Sequence, residues 1–108
     1  MVKVVILRKI KEGMEQEFWE MTAQLRANAV PRRGYISGET WVDTNDPSRC
    51  IVISTWLSLE DWKAWEISLQ RRAIAEGVDP LLDEPARTFV LKPPQGTEIR
   101  REATMPIA

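Results

Sequence analysis

Hydrophobic positions alternate from Val2 to Ile10, with Val2, Val4, Ile6 and Ile10 on one side of a strand and Val5 and Leu7 on the other. Both sides are apolar, so the strand is expected to be covered on two faces. Gly13 ends the alternation. Met14, Phe18, Met21 and Leu25 then recur at helical spacing through GMEQEFWEMTAQLRANAV, which predicts an amphipathic helix that stops before Pro31 and Gly34. YISGETWVD alternates again, the turn residues TNDPSR follow, and CIVISTW resumes an apolar strand, so 35–57 reads as a hairpin with a longer loop than the tightest type. Ser58, with Asp61 three residues on, has the spacing of a capping box and opens a second helix through SLEDWKAWEISLQRRAIAE. In that helix Leu59, Trp62, Trp65, Leu69 and Ala73 make one stripe. Ile67 and Ile74 fall off it, which predicts a kink or a restart near Ser68. Beyond the breakers Gly77, Asp79-Pro80 and Pro85 there is room for a short turn of helix around Leu81 and Leu82, and ARTFVLK at 86–92 reads as a last strand.

Strand, helix, strand, strand, helix, strand is the βαββαβ plan of ferredoxin-like α+β domains, with a four-stranded antiparallel sheet. Two helices cover one face of such a sheet, and the other face needs water-tolerant residues or a partner. Strand one is apolar on both sides, and strand three sets Ile51 and Ile53 against Cys50, Val52 and Trp56. A bare second face would leave several such side chains wet, each worth about 1.5–3 kcal/mol when buried. The expectation is a homodimer packed sheet against sheet. One domain over 1–92 is expected, and the polar, Pro-containing PPQGTEIRREATMPIA at 93–108 reads as a tail.

Composition narrows the chemistry. The 108 residues carry a formal charge of −1 and no clustered basic face, which argues against nucleic acid as a partner. No apolar run approaches the roughly 20 residues that span a bilayer, and MVKVVILRKI has charges inside its apolar segment, unlike a signal peptide. The expected location is the cytoplasm, away from membranes. The chain has no histidine and a single cysteine, Cys50, so imidazole-based triads, histidine-ligated metals and thiolate cages are all excluded. Cys50, inside an apolar strand, is expected to be a small buried hydrophobe.

GYISGETWVD, CIVISTWLSLEDWKAW and EPARTFVLK together resemble the antibiotic biosynthesis monooxygenase domain family, over about residues 2 to 92. A strand ending in Trp, a Ser-initiated helix and a D-W-x-x-W doublet carry most of the likeness. The resemblance implies a dimeric α+β barrel of ferredoxin-like plan. It also implies an activity among those of the family, which include cofactor-independent oxygenases of aromatic polyketides, quinol oxygenases and haem-degrading enzymes. Trp65 is similar in position to a tryptophan that lines the substrate cavity in several of the oxygenases. The haem-degrading branch uses a histidine about ten residues beyond that tryptophan, where this chain has Ala75, and an asparagine on strand one that would fall at Ile6 or Leu7. Both are missing. The same asparagine serves in some polyketide oxygenases.

The candidate site follows from these readings. Trp62 and Trp65 share the helical stripe, where tryptophans commonly serve as core; the resemblance singles out Trp65 as a pocket residue. Trp56 belongs to the core or to an interface, and Trp41, on a face with Tyr35, Ser37, Glu39 and Asp43, belongs to a pocket rim or an interface. Asn28, near the end of helix one, is a candidate amide donor, although a helix-end Asn commonly satisfies local backbone. Arg71 and Arg72 follow Trp65 by two turns, and Arg72, one turn beyond Leu69 in an unbroken helix, is expected nearer the Trp65 side. The expected catalytic set is Trp65, Arg72 and Tyr35, with Trp41, Trp56 and Asn28 binding substrate. The expected reaction is cofactor-free oxidation by O2 of a small aromatic, quinol or enol-type molecule. A ligand-binding homodimer without catalysis and an isomerase of a small oxygenated metabolite are the alternatives.

Overall fold

The structure is a computed structural model and describes residues 1–95. The part of the expected tail beyond residue 95 lies outside the described residues. The chain runs β1 (Val2–Lys9), α1 (Glu15–Ala29), β2 (Tyr35–Val42), β3 (Arg49–Trp56), α2 (Leu59–Glu66), α3 (Leu69–Val78), a 3-10 turn (Asp79–Leu81) and β4 (Arg87–Leu91). The strands form one antiparallel sheet in the order β2-β3-β1-β4, the ferredoxin-like arrangement expected from the element order.

Register decides which side chains share a face. Val4 lies opposite Ser54 and Val90, Ile6 opposite Val52 and Thr88, and Arg8 opposite Cys50. These positions face the helices, and Val4, Ile6, Cys50 and Trp56 are buried there with Phe18, Leu25, Trp62, Trp65 and Val78. The alternate positions, Val5, Leu7, Ile51, Ile53 and Phe89, lie on the other face, which no helix among the described residues covers. Trp41, opposite Ile51, joins them and is 58% exposed.

Local chemistry explains the joints. Gly34 adopts φ +83°, a left-handed conformation that glycine takes without strain, and its carbonyl accepts from Leu57 N–H at 2.7 Å. The carboxylate of Asp61 stands where a Cβ on Gly34 would be. Asp61 donates its own N–H to the Ser58 hydroxyl at 3.1 Å, the cap that starts α2. Gly77 likewise leaves room for the end of Met21, which lets α1 and α3 pack closely.

The predicted second helix is two helices. Ser68 is extended (φ −64°, ψ 148°), and its hydroxyl accepts from Arg71 N–H at 3.2 Å, so a fresh N-cap starts α3. The restart expected near Ser68 is there, and it resets the helical phase. The single stripe from Leu59 to Ala73 does not survive it. Leu69 is 82% exposed, and Leu59 and Ala73 are exposed too, while Ile74 and Val78 turn inward.

Candidate functional site

Between the helix face of the sheet and the three helices lies a cavity of about 80 Å³ that opens to solvent. Its sheet wall is Ile6, Arg8, Thr40, Val52, Ser54 and Trp56; its helical wall includes Thr22, Leu25, Trp62, Trp65 and Arg71. An aromatic chain runs along it. Tyr35 meets Trp56 edge-on with ring centroids 5.4 Å apart, and Trp56 meets Trp62 at 5.8 Å and 64°. The Trp56 indole N–H donates to Ser54 Oγ at 3.0 Å, so the ring's one polar group is satisfied. Arg32 lies 5.5 Å from the Trp65 ring centroid and donates to the Ala64 carbonyl, closing the outer side of that tryptophan.

The bulge between Tyr35 and Ser37 puts Tyr35 opposite Trp56 and on the helix side of the sheet. That answers two sequence expectations together. Tyr35 and Trp56 line the cavity with Trp65, whereas Trp41 is on the opposite face of the sheet and takes no part in it. Asn28 is exposed and donates its side-chain N–H to the Gln24 carbonyl at 2.8 Å, the local backbone role. Arg72 is exposed and outside the cavity wall; Arg71 is in it. The break at Ser68 is the reason, because it places Arg71, Ile74 and Val78 on one inward face. Of the two strand-one positions the resemblance indicated, Ile6 faces the cavity and Leu7 the open face.

One wall residue escaped the sequence reading altogether. Arg8 interrupts the inward series Val2, Val4, Ile6, Ile10 and is only 8% exposed. A lone charge at an inward strand position is the signal that would have found it. The ion pairs among the described residues are Arg33–Asp61, Arg49–Asp46 and Arg49–Glu84, so neither Arg8 nor Arg71 has one. Arg71 stacks on Trp62, 5.3 Å from the ring centroid. Burial first, and then the neighbouring Arg71, pushes Arg8 below the usual arginine range, against weaker pulls from Cys50 and Asp79. Burial lowers Arg71 as well, opposed by Glu66 and Asp79. Burial raises the Cys50 thiol, and Arg8 pulls it back. Glu39 borders the cavity, but its register opposite Ile53 sets its side chain on the open face. Among the described residues no three His, Cys, Asp or Glu come together in a metal-ligating group, and no helix is long and apolar enough to cross a membrane.

Comparison with known proteins agrees with this architecture. A search of curated protein sequences finds no match. A solved cofactor-independent oxygenase from Streptomyces nogalater superposes with a TM-score of 0.78 at 14% identity, covering 89% of this chain and 95% of its own. A conserved protein from Methanosarcina mazei gives 0.80 at 16%, covering 84% and 90%. A protein from Mycobacterium tuberculosis gives 0.79 at 13%, covering 90% and 98%. At these identities the likeness is one of fold. The family model for antibiotic biosynthesis monooxygenase matches residues 1–77, well over half of the chain, and with the strand order and the buried tryptophans of α2 it places the protein in the antibiotic biosynthesis monooxygenase family.

Proposed function

We propose that the protein is a cofactor-independent monooxygenase of a small, electron-rich aromatic, quinol or enol-type substrate, and that it works as a homodimer joined through the open sheet faces. The observation that carries this reading is the cavity itself: an apolar, aromatic-walled site whose charged groups are cations. Such a site favours a flat ring, and it favours the anion of that ring over the neutral form. A ring methylene or hydroxyl gives up its proton to water at the open mouth, and the resulting carbanion-like anion passes electrons to O2. A C–O bond forms and the peroxide takes up a proton. Loss of water then breaks the O–O and C–H bonds, so CH2 and O2 become C=O and H2O. Trp65 and Trp56 hold the ring, Tyr35 donates to the oxygen that develops charge, and the walls exclude water from the carbanion.

The open face of Val5, Leu7, Ile51, Ile53, Trp41 and Phe89 supports the dimer, as does β4, which is exposed along its whole length. A ligand-binding dimer without turnover is the competing reading, favoured by Ile6 at the strand-one position where some family oxygenases carry an amide. The isomerase reading is weaker, because among the described residues no carboxylate side chain points into the cavity to serve as a base.

The deciding experiment is O2 uptake by metal-stripped protein against a panel of hydroquinones and anthrones, with an autoxidation blank and Trp65→Ala. Uptake that survives metal removal and drops at least tenfold in the variant supports the oxygenase. Ligand-dependent tryptophan quenching with no uptake above the blank supports the binding dimer.

A further inference from the structure

We propose that Arg8 and Arg71 form a two-cation anion seat, and that the ligand of this cavity is an aromatic molecule carrying an oxyanion, either a ring carboxylate or an ionised phenol. The inference rests on the cavity being the ligand site, as in the reading above, but it does not depend on oxidation.

Four observations meet here. Arg8 is only 8% exposed, reaches the cavity from near the end of the inner strand β1, and has neither an ion pair nor a side-chain hydrogen bond among the described residues. Buried arginines elsewhere are paired, because an uncompensated charge in a low-dielectric site costs several kcal/mol (roughly 3–5 when a partner is removed). Second, Arg71 lines the same cavity and is near enough to oppose the charge on Arg8, so the two cations repel across a shared space. Third, Arg71 is held by Trp62 stacking and by the Ser68 cap at its own backbone N–H, so neither element lets it swing out to solvent cheaply. Fourth, Glu39 of the cavity border is turned to the other face by strand register, and Asp79 and Glu66, the carboxylates that act on the two arginines, form no ion pair with them among the described residues. Two largely buried guanidinium groups facing one apolar space, drawn only weakly by Asp79 and Glu66 and ion-paired with neither among the described residues, are complementary to a ligand that brings a closer counter-charge. The aromatic wall beside them fixes the rest of that ligand as a flat ring.

Such a seat also explains how a cavity without a carboxylate base promotes ionisation. Two cations stabilise a phenolate or enolate relative to its neutral form, so the proton leaves to water and the anion stays.

The test is anaerobic isothermal titration of the full-length protein with 2-naphthoate, 2-naphthol and the neutral 2-naphthamide. Naphthoate is expected to bind at least tenfold more tightly than the amide, and bound naphthol to show the absorption of its phenolate below its ordinary pKa. Binding of naphthoate alone assigns the seat to a ring carboxylate, and the phenolate band alone assigns it to the reacting oxygen; either supports the seat. Arg8→Met and Arg71→Met should each abolish the preference for the anion, while Arg8→Lys retains part of it. Removing an unpaired buried charge should also raise the Tm of ligand-free Arg8→Met, by about 3 °C. An arginine with a purely structural role would give the opposite sign.

Naphthoate and naphthol binding no more tightly than the amide, or an anion preference untouched in Arg8→Met, overturns the proposal. Anion selectivity with no O2 uptake would sink the oxygenase and leave the seat. Oxidation of a neutral substrate unchanged by Arg8→Met would do the reverse.

Discussion

The Tyr35 hydroxyl occupies the space into which a Cβ on Gly38 would project. Both residues lie on the helix side of β2, and the bulge between Tyr35 and Ser37 turns the ring over its own strand and against Trp56. Gly38→Ala should therefore displace the hydroxyl by about an ångström without unfolding the sheet. A shift of that size at a reacting centre costs up to roughly 100-fold in rate. The expected outcome is a large fall in turnover with an altered near-UV circular dichroism band, and unchanged far-UV signal.

Ser68 carries the helix that positions Arg71. Ser68→Ala removes the hydroxyl that accepts from Arg71 N–H and should cost about 1 kcal/mol. Urea unfolding should show a lower midpoint at constant slope. Ser68→Asp should restore only part of the loss, because a carboxylate accepts from Arg71 N–H but cannot donate to the Trp65 carbonyl as the Ser68 hydroxyl does at 2.7 Å.

The open sheet face should hold two copies together. Ile53→Asp puts a carboxylate at its centre, next to Glu39 and opposite Val5. Sedimentation velocity is expected to move from dimer to monomer at micromolar concentration, with the far-UV spectrum retained. A wild-type protein that sediments as a monomer would remove the dimer reading.

Cys50 is 1% exposed, and burial raises its thiol above the ordinary value. Less of it is thiolate at pH 8 than in a free cysteine, and the reagent also needs an opening of the sheet to reach it. Iodoacetamide labelling at pH 8 should be slower by on the order of 100-fold than for unfolded protein, and should recover in denaturing urea. Arg8→Met removes the group that pulls the thiol down, so the thiolate fraction should fall further.

The strands were legible because their apolar positions recur with a period of two and their ends carry Gly, Asp, Pro or, after β3, the Ser58 cap of α2. The topology followed from the element order. The site was less legible. Trp65, singled out by the resemblance, and Tyr35 line the cavity, whereas Arg72 does not and Arg71 does. A 3.6-residue count run from Trp65 crosses Ser68, where one extended residue resets the phase. Arg8 is hard to place from the sequence because a charge in an alternating strand usually marks the wet side, although its neighbours Ile6 and Ile10 place it inward. Trp41 reads as a pocket-rim or interface residue because it shares an alternation with Tyr35, and its place on the open face leaves the interface reading. The bulge after Tyr35, invisible in the pattern, puts the two on opposite faces.

Strand β1 shapes the ligand cavity with its even-numbered residues and the open face with its odd-numbered ones, so both sides are tied to a single reading frame. Slipping it by one position would carry Leu7 into the cavity and Arg8 out onto the apolar surface, spoiling recognition and assembly in one step. Point substitutions on α1, α2 and α3 reshape the cavity without touching the open sheet face. In β1, insertions and deletions change both.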